Sequence, residues 1–225
     1  GATVLDLGGQ STRPGSERVP EAEERARVVP AIAALHRRWP EVLLSVDTFY
    51  GSVARAAVEA GAGMVNDISA GRFDPELLPA VAALGVPYVL MHMKGNPGTM
   101  QQEAVYEDVV LEVFDALNRD LYRLRQMGIR DILVDPGFGF AKTIRHNFQL
   151  LKNLSFFTQL NAPLLVGLSR KATVYKTLDI PPEEAVDGTT VLHTLALQQG
   201  ALLLRVHDVR PAMEAIRLYE ALQKA

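Results

Sequence analysis

Short apolar segments alternate along this chain with longer stretches of helical period, and polar or glycine residues follow each apolar segment. These observations predict an α/β fold, a (β/α)8 TIM barrel of which seven strands are recognisable. The strand segments are Val4 to Leu7, Leu43 to Val46, Met64 to Val65, Pro87 to Met91, Ile132 to Val134, Leu164 to Val166 and Leu202 to Leu204. Each is short and bounded by turn-forming residues, as buried parallel strands are. Helical period marks Glu21 to Arg38, Gly51 to Ala60, Pro75 to Leu84, Tyr106 to Met127, Thr143 to Leu154, Glu183 to Gln199 and Arg210 to Leu222. Their Ala, Leu, Glu and Arg content favours helix.

The residues after each strand carry the most information. They run Asp6 to Pro14, Asp47-Thr48, Asn66-Asp67, His92 to Gly98, Asp135 to Phe140, Ser169 to Lys171 and Arg205 to Asp208. In a closed parallel barrel these ends converge on one face, where such folds place their active sites. Loops are polar wherever they meet water, which accounts for part of the pattern. Carboxylates, an amide, a lysine and two arginines directly on strand ends are not accounted for in that way. An open doubly wound sheet would be expected to carry Gly-x-Gly-x-x-Gly in its first βα turn, and none is present. Since a closed barrel needs one strand more and commonly about 250 residues, a strand, its loop and a helix are expected upstream of Gly1.

With 225 residues and 48% hydrophobic content, the chain can bury one large core, and no linker-like stretch divides it. A net charge of −3 and a pI near 6.0 give no broad basic field for nucleic acid or an anionic membrane. An anionic ligand must therefore be held by local positive charge. Without cysteine there is neither a disulfide nor thiol chemistry, which suits a reducing, cytoplasmic setting. No apolar run reaches the 18 to 20 or so residues of a membrane-spanning helix.

Arg205 and His207 flank the end of the last strand, where barrels often hold phosphate, and a guanidinium can clamp phosphate oxygens through two hydrogen bonds. A surface pairing of Arg205 with Asp208 is the simpler alternative. Ser169-Arg170-Lys171 offers a hydroxyl, a guanidinium and an ammonium on successive residues, suited to a carboxylate or a polar ring edge, or else to a solvated turn. Lys171 could also form a Schiff base if a carbonyl substrate were present. Asp47, Asn66 and Asp135 are expected at strand mouths, where a carboxylate accepts paired N–H donors and an amide supplies one donor and one acceptor. For Asp47 or Asn66 alone, helix N-capping fits equally well, and Asp67 fits a cap better than its neighbour. Asp135 instead precedes Pro136-Gly137-Phe138-Gly139-Phe140, a turn whose glycines let backbone approach a ligand.

Other features read as structural. Met91, His92 and Met93 pack at the barrel mouth, Trp39 staples the first helix to the core, and Glu21 to Arg27 is an exposed helix face. His146 and His193 read as hydrogen-bonded structural residues. No paired-histidine zinc spacing occurs.

In order along the chain, Gly8-Gly9-Gln10-Ser11-Thr12-Arg13-Pro14-Gly15, Ser45-Val46-Asp47-Thr48, Val65-Asn66-Asp67-Ile68, Asp135 to Phe140, Ser169-Arg170-Lys171 and Arg205-Val206-His207-Asp208-Val209 closely resemble the motifs of the dihydropteroate synthases. The resemblance spans essentially all of residues 1–225, read as a single pterin-binding barrel domain. It implies condensation of a dihydropterin methyl diphosphate with 4-aminobenzoate by an SN1-like step, with Mg²⁺ on the leaving group. Asp47, Asn66, Asp135, Lys171 and Arg205 would hold the pterin, Arg205 and His207 the diphosphate, and Thr12, Arg13, Pro14, Phe140, Ser169 and Arg170 the aminobenzoate. Asp47, Lys171, Arg205 and His207 would be the catalytic set. It further implies inhibition by sulfonamides and a homodimer.

The family's Asn-x-Thr-Pro-Asp-Ser-Phe segment, which supplies an asparagine to the metal and diphosphate, is absent from these residues. No metal ligand is therefore expected within them. Position 10, often glutamate in the family, is glutamine here. Two other readings stay open: a related barrel that binds methyltetrahydrofolate, and a pterin-binding fragment without catalysis.

Overall fold

A computed structural model of the chain describes residues 1–13 and 15–225. Pro14, assigned above to the aminobenzoate, lies outside the described residues. The apolar segments form strands β1 (Val4–Gly8), β2 (Leu43–Asp47), β3 (Met64–Asp67), β4 (Tyr88–Met91), β5 (Ile132–Asp135), β6 (Leu164–Val166) and β7 (Ala201–Leu204). Neighbouring strands are parallel and follow chain order, with one register shift in β6 between Leu164 and Leu165. Parallel neighbours need crossovers. These are built from α1 (Glu21–Arg38), α2 (Gly51–Glu59), α3 (Leu77–Leu84), α4 (Val109–Gln126), α5 (Ile144–Lys152), α6 (Ala172–Leu178) and α7 (Val186–Gln198), and α8 (Val209–Gln223) follows β7.

Seven strands in a flat sheet, about 4.8 Å apart, would hold β1 and β7 about 29 Å from each other. Instead Arg205 Nε, one residue beyond β7, lies 2.8 Å from Asp6 Oδ2 in β1. The sheet is therefore rolled into a barrel. Among the described residues no backbone ladder joins β7 to β1, so the seam there is bridged by side chains alone.

The pleat then decides what faces inward. Residues two apart in a strand share a face, and Met64, Val89, Leu133 and Leu165, with Leu203 against them, form an apolar layer within the barrel. Two residues further along β3, β5 and β7 come Asn66, Asp135 and Arg205, which are placed one layer above that plug. In β1 and β2, Asp6 aligns with Ser45, and Asp47 with Asn66. The larger core lies between sheet and helices, where Ile32, Leu44, Tyr88, Leu117, Leu121, Leu124 and Phe157 are almost fully buried. Burying each such side chain contributes about 1.5–3 kcal/mol.

The structure departs from the sequence expectations at several points. Helix α6 is not among the helical stretches read from the sequence, and it stops at Asp179, whose φ is 53°. Helix α4 starts at Val109 and not Tyr106, because the Asp108 carboxylate caps Val110 N and Leu111 N at 2.9 and 3.1 Å. Trp39 staples nothing to the core. It follows the last turn of α1, is 47% exposed, and has the Arg38 guanidinium 5.8 Å above its ring. Within the supposedly exposed face Glu21 to Arg27, Glu24 is completely buried. Asp67 does not cap a helix, since α3 begins only at Leu77. Its carboxylate accepts from Ser69 N and Gly71 N, each at 2.7 Å, and from the buried Tyr88 hydroxyl at 2.7 Å, fixing the turn after β3.

Candidate functional site

The inward layer above the apolar plug is a connected polar network. Arg205 Nε donates to Asp6 Oδ2 at 2.8 Å and its Nη2 to Asp47 Oδ2 at 3.0 Å. Asn66 Nδ2 donates to the same Asp6 oxygen at 2.9 Å. Arg205 thus pairs with Asp6 and Asp47, while Asp208 pairs with Arg170. Among the described residues the Nη1 edge of Arg205 makes no protein hydrogen bond, and the side chain is 45% exposed at the mouth. Burial, the neighbouring Asp6 charge and, against them, Arg205 place the Asp47 carboxyl at about 7, far above its usual 3.8.

On the opposite wall Asp135 is buried and accepts from Gly137 N at 2.7 Å. Burial raises its pKa, while Lys171, Gly137 N and Lys142 hold it down. Lys171, the residue before α6, donates to Phe138 O and places its ammonium 4.9 Å over the Phe140 ring. Burial lowers this ammonium to about 8 despite the favourable Asp135 charge. Gly137 has φ 74°, and a Cβ there would come 1.9 Å from His92 O. Only glycine fits, and the loop after β5 therefore packs directly on the end of β4.

Ser169 is buried and touches His207: its hydroxyl accepts from His207 N at 3.2 Å and lies 2.9 Å from Nδ1. The residues assigned to the two substrates are thus in direct contact. Arg170 turns away from them. At φ 51° its side chain forms two 2.8 Å bonds to the Asp208 carboxylate and reaches Glu183 O at 2.9 Å, locking the segment before α7. That makes Arg170 a scaffold for its neighbours in the free protein. Thr12 and the exposed Arg13 lie in the loop from 9 to 20, and Ser16 Oγ donates to Ser11 O and Arg13 O, each at 2.8 Å. Gly15 N joins this loop to Pro97 O at 3.0 Å, beside the β4 end.

Sequence reasoning missed three groups. Asp6 reads from the sequence only as the first of the polar residues that follow the first strand, with no role of its own. Lys142 carried no signal, yet its buried ammonium lies 3.1 Å from His92 Nδ1 and donates to Phe140 O at 3.0 Å and His92 O at 3.3 Å. Burial lowers it to about 7 and also holds the neighbouring His92 well below its usual value. Glu24 is the third. Of the two histidines read as structural, His146 completes a capping box with Thr143, whereas the buried His193 leaves Nε2 without a partner among the described residues, and burial lowers its pKa to about 4.

A rolled parallel sheet whose inner layer ends in two carboxylates beside an arginine, an amide, and a third carboxylate flanked by lysines defines a barrel that receives a polar heterocycle next to an anion. The family profile described as "Pterin binding enzyme" matches residues 1–207. Dihydropteroate synthase of Escherichia coli K12 is 44% identical over 223 residues, 98% of this chain and 78% of that protein. A solved Yersinia pestis dihydropteroate synthase with a sulfonamide drug superposes with a TM-score of 0.97 at 43% identity, covering 100% of this chain and 82% of that one. The Xanthomonas albilineans dihydropteroate synthase with 4-aminobenzoic acid gives 0.94 at 46% identity, with 100% and 81% covered. The chain belongs to the pterin-binding enzyme family, among its dihydropteroate synthases.

Proposed function

We propose that this chain condenses (7,8-dihydropterin-6-yl)methyl diphosphate with 4-aminobenzoate, giving 7,8-dihydropteroate and diphosphate. The observation that carries the reading is the inner layer itself, in which Asp6, Asp47, Asn66, Asp135, Lys171 and Arg205 converge from different strand ends. Asp135 accepts N–H donors of the pterin edge, Asn66 and Lys171 complete its polar contacts, and Arg205 uses its outer edge on the diphosphate with His207 beside it. The bond from the pterin methylene to the diphosphate oxygen breaks, and its electron pair leaves with the diphosphate. The cation left on the pterin is stabilised by the Asp47 and Asp6 carboxylates, an electrostatic contribution that grows as the charges separate. The amine nitrogen of 4-aminobenzoate then bonds to the methylene and releases a proton. Thr12, Arg13, Phe140 and Ser169 border this second substrate. Sulfonamides, which share its aryl amine, would compete there.

For Mg²⁺ the described residues are a poor fit: they contain no group of three acidic or histidine ligands, and Arg205 stands between the two carboxylates at the seam. An ion would have to be carried largely by the diphosphate oxygens. A homodimer is supported by an apolar outer face, where Val191 and Leu195 of α7 and Leu218 and Leu222 of α8 are exposed. No described helix is long and apolar enough to cross a membrane, and the absence of cysteine supports a cytoplasmic setting.

The test is to incubate the chain with both substrates and Mg²⁺ and follow 7,8-dihydropteroate by mass spectrometry. Product above a no-enzyme control is expected. Pterin binding without product would support the non-catalytic reading, and binding of neither substrate would refute both.

A further inference from the structure

The root of the loop from 9 to 20 contains a buried acid that the chemistry above does not use. Glu24 of α1 is fully buried while Glu21, Glu23 and Arg25 around it are exposed. Its Oε2 accepts a hydrogen bond from Gln10 Nε2, and Gln10 Oε1 in turn accepts from Val19 N at 3.3 Å. One side chain therefore ties the beginning of the loop to its end and both to α1. The backbone fits as closely: a Cβ on Gly9 would lie 2.7 Å from Glu24 Cγ, and Arg27 Nη1 donates to Gly9 O at 2.9 Å.

From the loop side, Arg18 is stacked 4.7 Å over both Phe49 and Tyr50, and Tyr50 donates to Val19 O at 2.9 Å. The groups facing Glu24 are Arg18 from the loop, Glu21 from its own helix, Gln10 and Thr48, with the Asp47 carboxyl beyond. Burial raises its proton affinity, and the Thr48 and Gln10 contacts oppose that.

We propose that Glu24 and Gln10 are positioning residues for the aminobenzoate half of the reaction, a clamp that presents Thr12 and Arg13 over the site and works because one of its two members is an amide. The proposal rests on the dihydropteroate reading for the ligand but on the Gln10–Glu24–Val19 contacts for the clamp. An amide donates one hydrogen to the carboxylate and still accepts from Val19 N; two ionised carboxylates at the same two positions would have no hydrogen between them. Charge at position 10 thereby sets how firmly the loop is closed.

Gln10→Glu, Glu24→Gln and the exchange of both residues test this between about pH 6 and pH 9, each first checked for an unchanged melting profile. Tryptic cleavage after Arg18 reports the loop without substrate. KM for 4-aminobenzoate is read against kcat, with pterin affinity by calorimetry as reference. In Gln10→Glu one carboxyl must stay protonated for the clamp to close, so cleavage rate and KM, each taken relative to the parent at the same pH, should both rise with pH as that proton is lost. The kcat and pterin affinity should stay within about twofold, as expected of a group that touches neither reacting atom. Exchange of both residues should restore the parental values at every pH, which a loss of general packing would not allow. Cleavage that ignores pH in Gln10→Glu, or is not restored by the exchange, overturns the clamp. Cleavage that responds while KM does not overturns its link to aminobenzoate. A parent chain that forms no dihydropteroate, with the cleavage response intact, counts against the proposed reaction and not against the clamp.

Discussion

Replacing Lys142 with methionine should change the way stability depends on pH. In the folded protein this ammonium is buried against two carbonyls and an imidazole, with no carboxylate hydrogen-bonded to it, and its pKa falls from 10.5 to about 7. Unfolded chains bind the proton up to about pH 10.5, while the folded chain has released it above about 7. Stability of the parent therefore rises with pH between these limits, because the unfolded state holds more protons there. At about 1.4 kcal/mol per pH unit, the full window corresponds to about 5 kcal/mol, and the part between pH 7 and 10 to about 3 kcal/mol. Methionine keeps the length and removes the proton. It also leaves His92 O and Phe140 O without this donor, a cost of about 1–3 kcal/mol each that does not vary with pH. Urea unfolding of both proteins at pH 7 and pH 10 separates the two effects, since the lost carbonyl contacts cost the same at both pH values. The unfolding free energy of the variant relative to the parent should fall by about 3 kcal/mol over that interval. Equal differences at both pH values would refute a buried, weakly basic Lys142.

Asp135→Ala should weaken pterin binding by about 1–3 kcal/mol or more, a loss of roughly fivefold to over a hundredfold in calorimetry, because ring N–H donors are left without an acceptor. Ser169→Ala should raise the KM for 4-aminobenzoate about tenfold, the size of one hydrogen bond to a charged group, with the pterin affinity unchanged. Equal losses would show that the variant disturbs the His207 loop. With Asp47 titrating near 7 and its ionised form required, kcat/KM should climb as pH rises to about 7, and Asp47→Asn should remove that limb along with most of the rate. Tyr88→Phe deletes the buried hydroxyl donated to Asp67 and should cost about 1.5–3 kcal/mol in urea unfolding.

The strands were legible because buried parallel strands are short unbroken apolar runs, and each of the seven lies where such a run does. Asn66, Asp135 and Arg205 were legible for the same reason, as polar residues at the point where a run stops. Helix boundaries were less so: α4 starts three residues later than its periodicity suggests, because Asp108 caps through local hydrogen bonds that periodicity does not register, whereas the start of α5 at Thr143 was legible. Glu24 and Lys142 were illegible. Their roles come from what a distant segment places against them, and an isolated Glu in a charged helix or Lys in a loop has no periodic signature. The direction of Arg170 was hidden similarly, because a positive φ at a non-glycine residue follows from the fold and not from the neighbouring residue types.

Arg205 serves two masters at the seam between β7 and β1. It is the described group that ties the last strand's end to Asp6 and Asp47 across an edge without backbone pairing among the described residues, and in the proposed reaction it is also the cation offered to the leaving anion. Its Nε and Nη2 are taken by the carboxylates while its Nη1 edge makes no protein hydrogen bond among the described residues, so one side chain can serve both at once. Whatever change a bound anion makes in that hold on the carboxylates, the carboxylates make the same change in the anion's affinity, as one coupling free energy.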